Sequence, residues 1–328
     1  PACRSAASHA ALVQRLAPFV SPRAGVAVQP SLTYNADRRE LGVAYTEVVS
    51  EGVCVSFVRL SPSGERVGSP VRLSNPAGEG QLDVLPSVAY GANTYVVTWS
   101  HVDVNSERID VRARLLDAEG RPGAAAVALS ETRLFNVAPR VVFLPAGGGA
   151  AAAFGVAWTG INLDTEGDSL RFARLNDRGV KQDRERMLRD GVFTLGTAAI
   201  APAADGFVTA WSEYDFARRQ STEVFLRLDR TGAVQGRPVE VAKAQTLDGS
   251  AALSFDGRAH ALAWERDVTE TMTLQFSRVG PSSVEQAPVR VDPAPALALE
   301  PALASIADGP SLLARTLLNG DTDMAVAV

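Results

Sequence analysis

The chain has 328 residues, 46% of them hydrophobic and 21% charged, with 32 basic against 37 acidic side chains and a net charge of −5. That mild acidity argues against a nucleic-acid binder, which carries a basic face or stripe. Two cysteines, Cys3 and Cys54, are too few for a disulfide scaffold and match no zinc spacing.

From the N-terminus, Cys3 leaves three options open: one disulfide with Cys54, two free thiols, or a lipid-anchored Cys3. The basic residues are almost all arginine, Lys181 and Lys243 being the lysines, and Ala, Gly and Val abound, as in a GC-rich bacterium. A start at Pro1 reads as a residue exposed by processing or by cloning. The expectation is an extracytoplasmic protein: secreted, periplasmic or at the cell surface.

An aromatic then recurs along the chain. Tyr45, Trp99, Trp158, Trp211 and Trp264 are separated by 54, 59, 53 and 53 residues, and every tryptophan occupies this slot. Internal repeats of this length mark stacked architectures. Each repeat opens with a short apolar run, such as Pro30-Ser-Leu-Thr-Tyr34 or Pro86-Ser-Val-Ala-Tyr90, and continues through a turn into the anchor strand, such as Phe154-Gly-Val-Ala-Trp158. A polar loop follows, then a third strand ending in arginine and an aliphatic (Arg59, Arg114, Arg174, Arg227 and Arg278), a glycine-containing turn and a short fourth strand. Val141 to Leu163 is uncharged and long enough to span a membrane, but Pro145 and Gly147 to Gly149 divide it into strand, loop and strand.

Four alternating strands per unit read as a meander. Six units are visible, about 26–74, 84–130, 137–190, 196–242, 249–291 and 299–328. The last ends at its third strand, Met324–Val328, and Leu12–Leu16 within the N-terminal segment 1–20 has the fourth-strand pattern. The chain therefore resembles the β-propeller superfamily over essentially its full length. The expectation is one all-β domain, a six-bladed propeller whose last blade is closed by an N-terminal strand. No Trp-Asp strand ends, paired glycines, Ser-x-Asp-x-Gly boxes or Asp-rich calcium loops mark a subfamily.

A repeat separates building features from functional ones. The periodic tryptophans and arginines read as parts of the ring, and His260, in the slot of Leu41, Tyr95, Phe154 and Phe207, reads as a core histidine. What varies is the loop after each anchor strand, which opens on the usual ligand face of a propeller. Every such loop carries carboxylates. The candidate ligand residues are Glu47, His101, Asp103, Asp164, Asp168, Glu213, Tyr214, Asp215, Phe216, Arg218, Arg219 and Asp267. The blade-four loop stands out, because aromatics beside arginine are typical interface anchors.

No nucleophile elbow, zinc helix or phosphate loop is present. The leading expectation is a monomeric, non-catalytic binding or scaffold propeller, without a transmembrane segment, that engages a protein or glycan through an acidic face. One alternative is a hydrolase or lyase acting on polysaccharide or ester through Glu213 or Asp168 with His101. The other is a purely structural envelope component. No cofactor is expected; calcium would suit oxygen ligands, though no motif supports it.

Overall fold

The computed structural model describes residues 26–75, 80–162, 167–268, 271–291, 297–305, 311–318 and 324–327. Among these, every regular element is a β-strand, in six consecutive antiparallel meanders. Blade one holds β1 (Val26–Asn35), β2 (Glu40–Val49), β3 (Gly52–Leu60) and β4 (Arg66–Arg72). Blade two holds β5 (Gln81–Gly91), β6 (Thr94–Asp103), β7 (Arg108–Asp117) and β8 (Val127–Ala128). Blade three holds β9 (Phe135–Leu144), β10 (Ala153–Ile161), β11 (Asp168–Asn176) and β12 (Arg186–Val192). Blade four holds β13 (Thr194–Ala203), β14 (Gly206–Asp215), β15 (Gln220–Asp229) and β16 (Val234–Ala244). Blade five holds β17 (Asp248–Phe255), β18 (His260–Val268), β19 (Thr271–Val279) and β20 (Val284–Arg290). The sixth meander is β21 (Leu297–Ser305), β22 (Ser311–Leu318) and β23 (Met324–Ala327). The expected closing strand and Cys3 lie outside the described residues, as does Asp164.

The first strands of successive blades pack on one another in chain order. This is a β-propeller, and its core lies between the blades. One buried cluster joins blades three and four through Leu170, Phe172, Phe207 and Trp211, and another joins blades four and five through Phe225, Leu262 and Trp264. All four tryptophans are at most 1% exposed. A side chain of that size stabilises by roughly 1.5–3 kcal/mol on burial, which accounts for the periodic slot. Close packing also explains Gly155: a Cβ there would lie 2.6 Å from Phe207 Cε1.

Blades splay apart, so a continuous ladder between them is unavailable, and serine and threonine hydroxyls take over. Ser31 Oγ accepts from Val88 N at 3.1 Å, Thr33 Oγ1 from Tyr90 N at 3.2 Å, and Ser87 Oγ from Val141 N at 3.1 Å. The Pro-Ser openings of the first two units thus have a structural use. The repeated arginines also hold neighbouring turns: Arg59 pairs with Glu40 at 2.7 Å, Arg227 with Asp205 at 2.7 Å, and Arg278 with Asp256. Arg114 instead donates to the Leu73 carbonyl across the blade boundary at 2.7 Å.

Candidate functional site

The loop-bearing end of each blade begins with a device that recurs. In every blade the first strand shifts register against the second. Just before that bulge, an acceptor meets the indole of the anchor. Trp99 Nε1 donates to Asp83 at 2.8 Å, Trp158 Nε1 to Asn136 at 2.9 Å, and Trp264 Nε1 to Asp248 at 3.0 Å. A buried indole N–H needs such a partner. Blade four departs from the rule: Trp211 Nε1 donates to Glu213 at 3.0 Å, two residues along the same strand.

The candidate residues divide accordingly. Glu47 is buried and accepts from Ser56 Oγ at 2.8 Å. Its carbonyl accepts from the thiol of Cys54, at 3.6 Å, and burial pushes that thiol's pKa up. His101 is buried too, with Nδ1 2.8 Å from the Asp83 oxygen that already receives the Trp99 indole. Asp103 caps its turn by accepting from Asn105 N at 3.0 Å and Ser106 N at 3.3 Å. The hydrogen bond to Ser106 holds its carboxyl below the ordinary range. Asp267 lies half-buried in β18, where its backbone N donates to the Leu247 carbonyl at 2.8 Å.

Asp168 and Glu213 come together at the junction of blades three and four. Asp168 opens β11, and one of its oxygens accepts from both the backbone N and the hydroxyl of Thr194, each at 3.0 Å. Thr194 opens β13 and lies directly across from Glu213 on β14. Glu213 in turn is gripped by the fork of Arg189 from β12, at 2.9 and 3.1 Å. One carboxylate therefore flanks Thr194 from blade three and the other from blade four.

Beside this pair the aromatics gather. Phe216 is 64% exposed at the tip of the loop after β14, and Phe193 is 36% exposed in the single-residue link between β12 and β13. Their rings meet edge-on at 4.8 Å, and Tyr214 meets Phe216 at 5.0 Å and 90°. The loop is fixed by Asp215, which accepts from Arg218 N at 2.9 Å and its guanidinium at 2.5 Å. The backbone bond from Arg218 lowers the Asp215 pKa. Arg219, exposed, closes the turn at φ 50°.

A second group of acids, absent from the sequence-based set, is sealed between blades four and five. Asp248 is fully buried and takes the Arg266 guanidinium at 2.9 and 2.6 Å. Glu223 is also fully buried, 2.5 Å from Ser212 Oγ, and burial pushes its pKa up to about 8. A further groove of about 560 Å³, lined by Phe225, Arg227, Arg237 and Pro281, opens between blades four and five near the β19–β20 turn, away from these loops. Among the described residues, no group of three or more His, Cys, Asp or Glu side chains could hold a metal ion, and no helix is long and apolar enough to cross a membrane.

Fold and junction together define a β-propeller with a carboxylate pair and an exposed aromatic cluster at its loop end. No family model matches the sequence, and no curated protein matches it. Among solved structures, the fold is similar to a sialidase of Trypanosoma rangeli, with a TM-score of 0.55 at 7% identity over 92% of this chain and 54% of that one. The chain thus spans about half the length of that sialidase. It is also similar to a GH43 endo-arabinanase of Bacillus licheniformis (TM-score 0.45, 12% identity, 77% of this chain and 94% of that one). A third is an α-L-arabinofuranosidase of Lactobacillus brevis (TM-score 0.44, 12% identity, 92% of this chain and 94% of that one). These identities carry the propeller fold and no subfamily.

The expectation of a non-catalytic binding or scaffold propeller is corrected here. The solved structure of similar fold is a sialidase, which accords with the hydrolase alternative better than with binding alone.

Proposed function

We propose that this chain is a hydrolase of glycosidic bonds, acting outside the cytoplasm, with its site at the junction of blades three and four. The observation that carries this reading is the placement of Asp168 and Glu213 on either side of Thr194. Most glycoside hydrolases use two carboxyl groups, one to protonate the leaving oxygen and one to activate water or attack the sugar, whereas sialidases attack with a tyrosine. Fold likeness to a sialidase supports the substrate class by analogy.

On this reading the local structure prepares both groups. Asp168, 7% exposed, is oriented by two donors from one residue, the backbone N and hydroxyl of Thr194. Arg189 fixes the rotamer of Glu213 through its planar fork. His101 lies in blade two, enclosed with Asp83 and Trp99, and takes no part at this junction.

The test is release of reducing ends from a panel of soluble polysaccharides. Wild type should release them, and D168N and E213Q should each lose at least about 100-fold, the low end of a general acid–base contribution. Release that survives both substitutions would remove the site from this junction.

A further inference from the structure

The aromatic cluster at the tip of blade four has no role in holding the ring. Phe216 keeps 64% of its surface exposed, although burying it would be favourable, and Phe193 keeps 36%. The rings hold one another edge-on, at 4.8 Å between Phe193 and Phe216 and at 5.0 Å between Phe216 and Tyr214. That arrangement fixes the rings against one another and leaves Phe216 mostly exposed.

Three further observations say what the cluster fits. First, it is unique to one blade: the corresponding loop tips of blades one and two read Val49-Ser-Glu-Gly52 and Val104-Asn-Ser-Glu107, without an aromatic. Second, the tip is rigid before any ligand arrives, because Asp215 ties it to both the backbone and the guanidinium of Arg218. Preordering of this kind cuts the entropic cost of binding. Third, the cluster is continuous with the carboxylate pair. Phe193 directly precedes Thr194, its carbonyl accepts from Tyr214 N at 2.9 Å, and Tyr214 directly follows Glu213.

Flat apolar faces bordered by a phenol hydroxyl and guanidinium groups complement a sugar ring, which presents C–H bonds on its face and hydroxyls around its rim. We propose that Phe193 and Phe216 form a stacking subsite for a neutral polysaccharide chain, holding sugar units beyond the bond that Asp168 and Glu213 would cleave. The subsite rests on the hydrolase reading for its position, but its binding is measured apart from cleavage. It makes the substrate a polymer, with one unit at the carboxylate pair and others on the rings.

The experiment is affinity electrophoresis of the full chain in native gels containing soluble arabinan, xylan, mannan or mixed-linkage glucan. The proteins compared are wild type, D168N and the double variant F193A/F216A, with V234A as an exposed control on blade four. The proposal expects at least one polymer to retard wild type and V234A alike. F193A/F216A should show at least a tenfold weaker dissociation constant for that polymer, with its unfolding midpoint within a few degrees of wild type. Equal retardation of wild type and the double variant would overturn the subsite, as would no retardation of wild type in any of the gels. Loss of binding in F193A/F216A together with undiminished cleavage by D168N would keep the subsite and discard the carboxylate pair.

Discussion

Replacing Glu223 by glutamine tests the interior of the ring where charge and burial conflict most sharply. Pairing partners of the residue after each anchor are Val55, Val111, Leu170 and Leu274 in the other blades, and Glu223 alone in blade four. Its carboxyl is fully buried, its Oε1 has no hydrogen-bond partner among the described residues, and its pKa is raised to about 8. With the carboxyl protonated, Ser212 Oγ can receive that proton at 2.5 Å and give its own to the Gly249 carbonyl at 3.2 Å. The folded state therefore holds a proton that the unfolded state releases above its ordinary value of 4.5. Stability contributed by this group is lost as pH rises from 4.5 to 8, by up to about 1.4 kcal/mol per unit.

His260 acts in the opposite sense. It stacks on Phe255 at 4.6 Å, its Nε2 lies 3.0 Å from the Pro202 carbonyl, and burial lowers its pKa to about 4. Its contribution is lost as pH falls from 6.5 towards 4, so below 6.5 the two slopes largely cancel. Between pH 6.5 and 8 the Glu223 slope dominates this pair, and wild type should lose on the order of 1 kcal/mol there. Urea unfolding at pH 6.5, 7.25 and 8 measures it. E223Q should flatten this segment. An unchanged slope in E223Q would refute the protonated-carboxyl account.

The other predictions concern single contacts. H260F, with the aromatic found at Phe154 and Phe207, should abolish the loss of stability between pH 6.5 and 5 that E223Q unmasks; a persistent loss in the double variant would assign it elsewhere. D83A leaves the indole of Trp99 and Nδ1 of His101 without their buried acceptor, so it should cost about 2–5 kcal/mol, with D83N costing less. Equal costs for the two would mean that packing, not acceptance, is what Asp83 supplies. G155A must displace the ring of Phe207 or Phe172. Calorimetry should show a loss of about 1–3 kcal/mol, and a neutral result would mean that blades three and four separate easily.

The ring was legible because its anchors are periodic and its strands alternate. Tryptophans at one offset reported their burial, and the same logic placed His260 among aromatics, where it lies 6% exposed. The polar frame around the anchors was harder to see. Asp83 and Asp248 both precede their tryptophan by 16 residues, a signal that was present in the sequence. A longer turn moves Asn136 away from that offset, and blade four replaces the residue with Glu213 from the anchor strand itself. Glu223 could also have been found, as a carboxyl in a column of valine and leucine.

What spacing could not show is the convergence of Asp168, Thr194 and Glu213. Their meeting depends on the register between β13 and β14 and on the packing of β11 against the start of the next blade. Phe193 escaped notice for the same reason: it lies in a one-residue link that becomes a neighbour of Phe216 only when blade three folds back. Conversely, the loop position of Glu47 and His101 suggested a rim, whereas hydrogen bonds to Ser56 and Asp83 hold them inside.

The most direct test of the hydrolase reading is chemical rescue of D168A and E213A by azide. It would use the aryl glycoside of whichever sugar wild type cleaves best, after both variants are shown to unfold at the wild-type midpoint. The account predicts that both variants are slow and that azide restores aglycone release in one of them with formation of a glycosyl azide. Variants that cleave at the wild-type rate, or a wild type that cleaves no glycoside, would contradict it.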